Sequence, residues 1–211
     1  MANDDKEEKE RERTAFEAAR QRLAERIDFY LRKRGVPRRF LHARISDFPQ
    51  SWEKLKDGGE GIFLTGSRGV GKTHLAAALM REAALAVKPV KYLEGYRINL
   101  QKLPLFVSVP ELLLEIRDTY NDGEVSEKEV IDSYSWVDML VLDDLGVEKP
   151  TEWALQTLYI ILDRRYREDL RTIITSNLGI EEMPDDRIAS RIAGMCKVRI
   201  LQGRDRRARK S

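Results

Sequence analysis

Residues 61–79 read G-I-F-L-T-G-S-R-G-V-G-K-T-H-L-A-A-A-L, and no other stretch restricts this chain so tightly. The short apolar run Ile62 to Leu64 reads as a strand. Gly66, Gly69 and Gly71 follow, then Lys72, Thr73 and an alanine- and leucine-rich run that suits a helix. This is the pattern G-x-x-x-x-G-K-T between a strand and a helix, the setting in which it cradles phosphate. The glycines let the backbone curl so that successive N–H groups point at one centre, and the helix start adds its positive end. Lys72 has the reach for the β and γ phosphates of a nucleotide, and the Thr73 hydroxyl suits one magnesium position. Gly66, Ser67, Arg68, Gly69, Val70, Gly71, Lys72, Thr73 and His74 are the expected nucleotide contacts, with Lys72 expected to face mostly solvent.

The rest of the chain alternates strands with helices. Residues 3–34 read as helix, with Phe16, Ala19, Leu23, Ile27 and Tyr30 at three- to four-residue spacing and Gly35 and Pro37 ending it. The first dozen residues carry no apolar stripe and are expected to fray. The apolar face of the remainder needs cover, from the core or from a partner. Residues 38–60 form a loop-rich approach closed by Asp57-Gly58-Gly59; its aromatics Phe40, Phe48 and Trp52 either wall an adenine pocket or simply pack. The helix after the phosphate loop should run from about Gly71 to Ala86. Residues 90–103 read as a hairpin or an irregular insertion.

Leu105 to Val109 is a second core strand, and Pro110 opens a helix that Asn121-Asp122-Gly123 stops. Ser126 and Glu129 form a capping box for a short helix. In W-V-D-M-L-V-L-D-D the run Met139 to Leu142 is continuous, as in a strand covered on both faces. Thr151 caps a helix through Tyr166, Arg171 to Asn177 is a further buried strand, Asp185 to Ile192 a short helix, and Val198 to Leu201 a last strand. The sum is α/β: a five-stranded parallel sheet between helices, with ligands at the carboxyl ends of the strands.

Those ends carry the expected chemistry. Asp143 and Asp144 close the most apolar strand, where Asp143 would hold magnesium through water and Asp144 would polarise an attacking water. Asn177 ends the next strand in the same plane and can bond the γ-phosphate or that water. Arg187 and Arg191, four apart on one helix face, either make surface salt bridges or stabilise charge on a neighbouring subunit's phosphate.

Composition bounds the rest. The 211 residues carry a formal charge of only +2, but residues 20–44 hold nine Arg or Lys against Glu25 and Asp28. The stretch from Lys197 to Ser211 has seven basic residues against Asp205. Such zones suggest an acidic partner such as nucleic acid, or else solvated helix faces and a tail. Cys196 is the single cysteine, which excludes an internal disulfide, and with two histidines no zinc cluster assembles. In its mixed M-C-K-V-R-I-L run Cys196 reads as a packed strand residue. The charged N-terminus is unlike a signal peptide and no apolar run reaches membrane-spanning length, so a cytoplasmic protein is expected.

The set G-S-R-G-V-G-K-T, V-D-M-L-V-L-D-D-L-G, T-I-I-T-S-N-L and D-R-I-A-S-R-I resembles the AAA+ ATPases that load the bacterial replicative helicase, the DnaC type, and their transposition relatives of the IstB type. G-V-P-R-R-F, V-P-E-L-L-L-E-I-R-D-T-Y and L-D-R-R-Y add to the likeness, which spans roughly residues 35–203. The resemblance implies an ATPase of the P-loop AAA+ fold with ATP and Mg2+ as cofactors. Lys72 and Thr73 fall in Walker A, Asp143 and Asp144 in Walker B, Asn177 at the sensor-1 position and Arg191 at the arginine finger. Arg187 is a second interface candidate.

The likeness also implies a hexameric replicative DNA helicase and single-stranded DNA as partners, self-association into an oligomer or spiral, and no C-terminal lid domain. The helices within 110–133 match an element that lies beside single-stranded DNA in such assemblies. The implied organisation is a helical N-terminal extension over 1–37, a core over 38–203 and a basic tail over 204–211. Asp144 departs from the more usual glutamate, which bears on hydrolysis rate, and the 88–103 segment is longer than the family's usual link.

Overall fold

The computed structural model describes residues 2–56, 58–93, 95–122, 125–146, 151–203 and 205. The stop expected at Gly123, the Asp57 end of the approach loop and the basic tail apart from Asp205 lie outside them. Two helices open the chain, α1 (Ala2–Glu25) and α2 (Ile27–Lys33). The expected single helix is therefore broken at Arg26, and helix runs from Ala2 where fraying was expected. Then come β1 (Gly61–Thr65), α3 (Lys72–Leu85), β2 (Val90–Tyr92), β3 (Gly95–Arg97), β4 (Leu105–Ser108), α4 (Val109–Asp122) and α5 (Glu127–Ser135). The chain continues as β5 (Met139–Leu145), α6 (Glu152–Arg167), β6 (Arg171–Ser176), α7 (Asp186–Met195) and β7 (Cys196–Ile200).

Five strands form one parallel sheet in the order β4-β5-β6-β1-β7, and β2 pairs with β3 as a separate antiparallel hairpin. The chain leaves β1 for β4 at the far edge and returns through β5 and β6 before adding β7 on the other side. β1 thus sits at the point where the strand order reverses, the place where open α/β sheets bind ligands.

Period-two alternation divides the core. Ile62, Leu64, Val141 and Ile173 face α3, while Phe63, Leu140, Leu142 and Ile174 face the layer of α4 to α7. Leu23, Ile27 and Leu31 of the N-terminal helices pack in the first of these layers, so the extension's apolar stripe is covered by the core. Arg34 ties the extension to the sheet edge. Its Nε and Nη2 donate to the carbonyls of Pro104 and Leu103 at 3.1 and 2.7 Å, and its own carbonyl accepts from the Phe106 N–H at 2.9 Å. Gly35 follows with φ +93°, so close to the Phe106 carbonyl that a Cβ would collide; only glycine fits there.

The 90–103 insertion is the hairpin β2–β3 plus a 3-10 turn at Leu100–Lys102. It docks on α1. Phe16 meets Tyr96 edge to face at 5.5 Å, and Lys91 pairs with Glu12. Thr151 caps α6 and Ser126 with Glu129 boxes α5, as the sequence signals predict, while Asp185, read as the first residue of its helix, is instead the cap of α7. No helix among the described residues is long and apolar enough to cross a membrane.

Candidate nucleotide site

The carboxyl ends of β1, β5 and β6 meet the start of α3 around a polar cleft of about 370 Å³. Arg68, Gly69, Gly71, Lys72, Thr73 and His74 line one wall; Asp144 and Asn177 line another; Arg39 and Phe40 close the side toward the N-terminal segment. Gly66, Gly69 and Gly71 have φ of +137°, +81° and +108°, conformations that L side chains rarely adopt, so the loop's curl rests on glycine at each turn. With α3 starting at Lys72 and no side chain capping it, its first N–H groups are directed at the loop's centre.

Lys72 is buried, contrary to its expected exposure. Its Nζ donates to the carbonyls of Gly66 and Ser67 at 2.8 and 3.0 Å and to Asn177 Oδ1 at 2.8 Å. The ammonium is thereby held at the mouth between β1 and β6, with the loop's own oxygens and the Asn177 amide around it. Asn177 is fixed from behind: the Ser176 hydroxyl donates to the Leu145 carbonyl at 2.7 Å and accepts from the Leu178 N–H at 3.0 Å, and the Thr65 hydroxyl donates to the Leu178 carbonyl at 2.8 Å.

Asp143 and Asp144 lie inside β5 rather than at its end, and there the strand is irregular. Register slips between Leu142 and Leu145, and Asp144 takes φ +58°. That irregularity turns two consecutive carboxylates toward different surroundings. Asp143 is buried; Thr175 Oγ1 donates to its Oδ1 at 2.6 Å, and the Thr73 hydroxyl lies near the same carboxylate. Burial pushes the Asp143 carboxyl up to about 6, helped by the neighbouring charge of Asp144 and opposed by Thr175, Thr73 and Lys72. The same Thr175 oxygen accepts the Asp144 N–H at 3.0 Å, so one hydroxyl fixes both aspartates. Asp144 faces the cleft and also borders an apolar pocket of about 160 Å³ under α4 and α6. A threonine hydroxyl lining the cleft and a carboxylate near it are the hard-oxygen donors that magnesium prefers, so Thr73 and Asp143 fit the expected metal role.

Arg187 and Arg191 stand apart from the cleft, on α7. Arg191 Nε donates to Asp163 Oδ1 at 2.7 Å, with the guanidinium 5.0 Å from the Tyr166 ring centroid. Arg187 pairs with Asp185 at 2.8 Å and lies 5.0 Å from the Tyr159 ring. Both arginines are held by acids and tyrosines of their own chain, and neither lines the cleft.

Among the aromatics of the approach loop only Phe40 reaches the cleft; Phe48 is buried and Trp52 packs against the core. Phe48 and Phe40 both flank the His74 ring, which is hydrogen-bonded to Asp47 at 2.6 Å, so the loop is latched to the first turn of α3. Thr175, Arg39 and Asp47 are site residues that motif reading passes over. Thr175 was visible only as part of T-I-I-T-S-N, Arg39 only as part of G-V-P-R-R-F.

A family model described as IstB-like ATP binding protein matches residues 3–186. The replicative helicase loader DnaC of Escherichia coli strain K12 is 30% identical over 128 residues, covering 60% of this chain and 46% of that protein. A crystal structure of DnaI superposes with a TM-score of 0.63 at 27% identity, covering 80% of this chain and 95% of that one. AMPPCP-bound DnaA from Aquifex aeolicus gives 0.62 at 22% identity, covering 82% of this chain and 53% of that one, a likeness of fold. The chain spans less than half the length of the curated loaders DnaC and DnaI that it matches.

Proposed function

This chain belongs to the IstB-like ATP-binding protein family, with the AAA+ P-loop ATPase fold, and from that premise we propose that it is an ATP-dependent helicase loader. It binds ATP with magnesium in the cleft at β1, self-associates, engages a hexameric replicative helicase and single-stranded DNA, and turns over ATP to release them. The observation that carries the ATPase part is the convergence of Lys72, Thr73, Asp144 and Asn177 on one cleft at the strand-order reversal, with Asp143 buried next to Asp144. The helicase part is supported by the resemblance to DnaC and DnaI, whose printed names call them replicative helicase loaders.

Each residue has a role that follows from its place. Lys72 gives up the Gly66, Ser67 and Asn177 oxygens to meet the β and γ phosphates, which frees the Asn177 amide for the γ-phosphate or the attacking water. Bound magnesium would supply positive charge beside the phosphate oxygens, with Thr73 and Asp143 as its protein holders. Asp144, at the positive-φ position, polarises the water. Arg191 acts on the neighbouring subunit's nucleotide, with Arg187 beside it at the interface.

A second reading, the helper ATPase of a DNA transposase, is favoured by the name of the matching family model. Co-purification separates the two. The chain is mixed with magnesium and AMPPNP and offered the replicative helicase or the IstB-partnered transposase of the same genome. Nucleotide-dependent retention of the helicase alone supports the loader; retention of the transposase alone overturns it.

A further inference from the structure

The segment after β7 turns back over the phosphate loop. The Leu201 N–H donates to the Thr65 carbonyl at 2.8 Å, extending the β1–β7 pairing past the strand. The Leu201 side chain is buried in the layer around α3, and its carbonyl stands so near Gly66 that a Cβ there would strike it. Four residues on, the Asp205 carboxylate rests against Gly69, where a Cβ would meet Cγ and both oxygens. Two of the glycines that shape the cradle are thus covered by one short stretch of the chain's own tail.

The carboxylate lies against a loop whose geometry draws anions. Positive-φ glycines and an uncapped helix start direct N–H groups toward the loop's centre, and Lys72 lies at its mouth. Around it the tail is basic in sequence, Arg204, Arg206 and Arg207 flanking Asp205, so the one acidic side chain is the one at the loop.

We propose that Asp205 is an internal stand-in for phosphate: its carboxylate occupies the phosphate loop when nucleotide is absent, and nucleotide binds by displacing it. The proposal rests on the reading of the loop as a nucleotide site and adds a regulator to it. The Leu201 anchor stays in the core while the Asp205 carboxylate exchanges between loop-bound and released positions. Nucleotide occupancy then controls release of Asp205 from the loop. A triphosphate carries more charge and more acceptor oxygens than one carboxylate, so it wins the exchange. Apparent affinity falls by the fraction of loops that are free, a factor of about ten for a loop nine-tenths self-occupied.

The test is calorimetric titration of AMPPNP with magnesium into the full-length wild type, Asp205→Asn, Asp205→Ala and, as control, Lys72→Ala. Both Asp205 variants are expected to bind about tenfold more tightly than wild type. In the wild type, AMPPNP should also speed hydrogen exchange in the C-terminal peptide that contains Asp205 while slowing it in the phosphate loop. Equal or weaker binding by both Asp205 variants, with wild type clearly binding, overturns the stand-in and leaves the nucleotide site intact. Unchanged exchange in that peptide overturns displacement. Absence of binding in every protein, the Asp205 variants included, overturns the nucleotide site and this proposal together.

Discussion

Asp143 concentrates the conflict between burial and charge that this site depends on. Desolvation holds its carboxyl at about 6, above the ordinary value of 3.8, although the Thr175 hydroxyl donates to it. A carboxyl with a raised folded-state value binds its proton more tightly when folded. That stabilising contribution is complete below about pH 4 and is lost as pH rises through 6. In the nucleotide-free protein at pH 8, Asp143→Asn should therefore raise unfolding free energy by about 1–3 kcal/mol, with the gain shrinking toward pH 5. Chemical denaturation at both pH values checks it, and a loss of stability at pH 8 contradicts it. In the wild type the magnesium dependence of nucleotide binding should weaken below pH 6, as the proton competes for the carboxylate.

At this scale Lys72, Asp143, Asp144 and Asn177 were legible because each ends or follows a run whose pattern fixes its place. Thr175 was not, since a threonine in T-I-I-T-S-N reads as an ordinary strand former. Its two bonds, to Asp143 and to the Asp144 N–H, exist only because β5 and β6 are neighbours.

Among the elements, α6 shows how far a single helix position escapes prediction. Arg165 and Arg164 are adjacent in L-D-R-R-Y and look alike in sequence. Arg164 is partly exposed and pairs with Asp132 at 2.7 Å. Arg165 is fully buried, and burial lowers its guanidinium to about 10. It donates to the carbonyls of Tyr134, Ser135, Val137 and Arg171 and to the Thr172 hydroxyl, joining the end of α5 to the start of β6.

A lysine cannot reproduce that fork and leaves carbonyls unpaired. Arg165→Lys should lower stability by about 3 kcal/mol or more, whereas Arg164→Lys should cost under about 1 kcal/mol. Urea midpoints of the two variants decide; similar midpoints would remove Arg165 as a tie between elements. Most element types were legible from periodicity and caps, but boundaries without punctuation were not. The last strand begins at Cys196 because α7 passes into β7 with no intervening loop. The buried thiol there, raised to about 12 by desolvation, is a packing group.

Across the whole molecule, the N-terminal helices are part of the core and the two α7 arginines are displaced from the cleft. Arg81 on α3 is buried against Asp28 of α2 and the Leu41 carbonyl, linking the phosphate-loop helix to the extension. No spacing in the sequence announces that pair, which spans 53 residues. The proposed trans role of Arg191 is testable by mixing. Arg191→Ala removes the Arg191–Asp163 ion pair between α7 and α6, while Asp163 keeps its pair with Arg167 within α6 at 2.8 Å, so that carboxylate is not left unpaired. Lys72→Ala subunits, which keep Arg191, are added to Arg191→Ala subunits, which keep the loop. The mixture should regain ATPase activity that neither shows alone. No recovery from mutants that co-assemble by light scattering would confine Arg191 to its own subunit.

All of this rests on one claim, that the cleft at β1 binds nucleotide through Lys72. Titration of fluorescent ATP with magnesium into wild type and Lys72→Ala measures it directly. The ammonium is the cation that three oxygens hold in place for phosphate, so its removal should weaken binding by at least about tenfold, a loss of 1.4 kcal/mol or more. Saturable binding by the wild type and its loss in Lys72→Ala, with both proteins folded by circular dichroism, is the predicted result. Equal affinities in the two proteins would contradict the account.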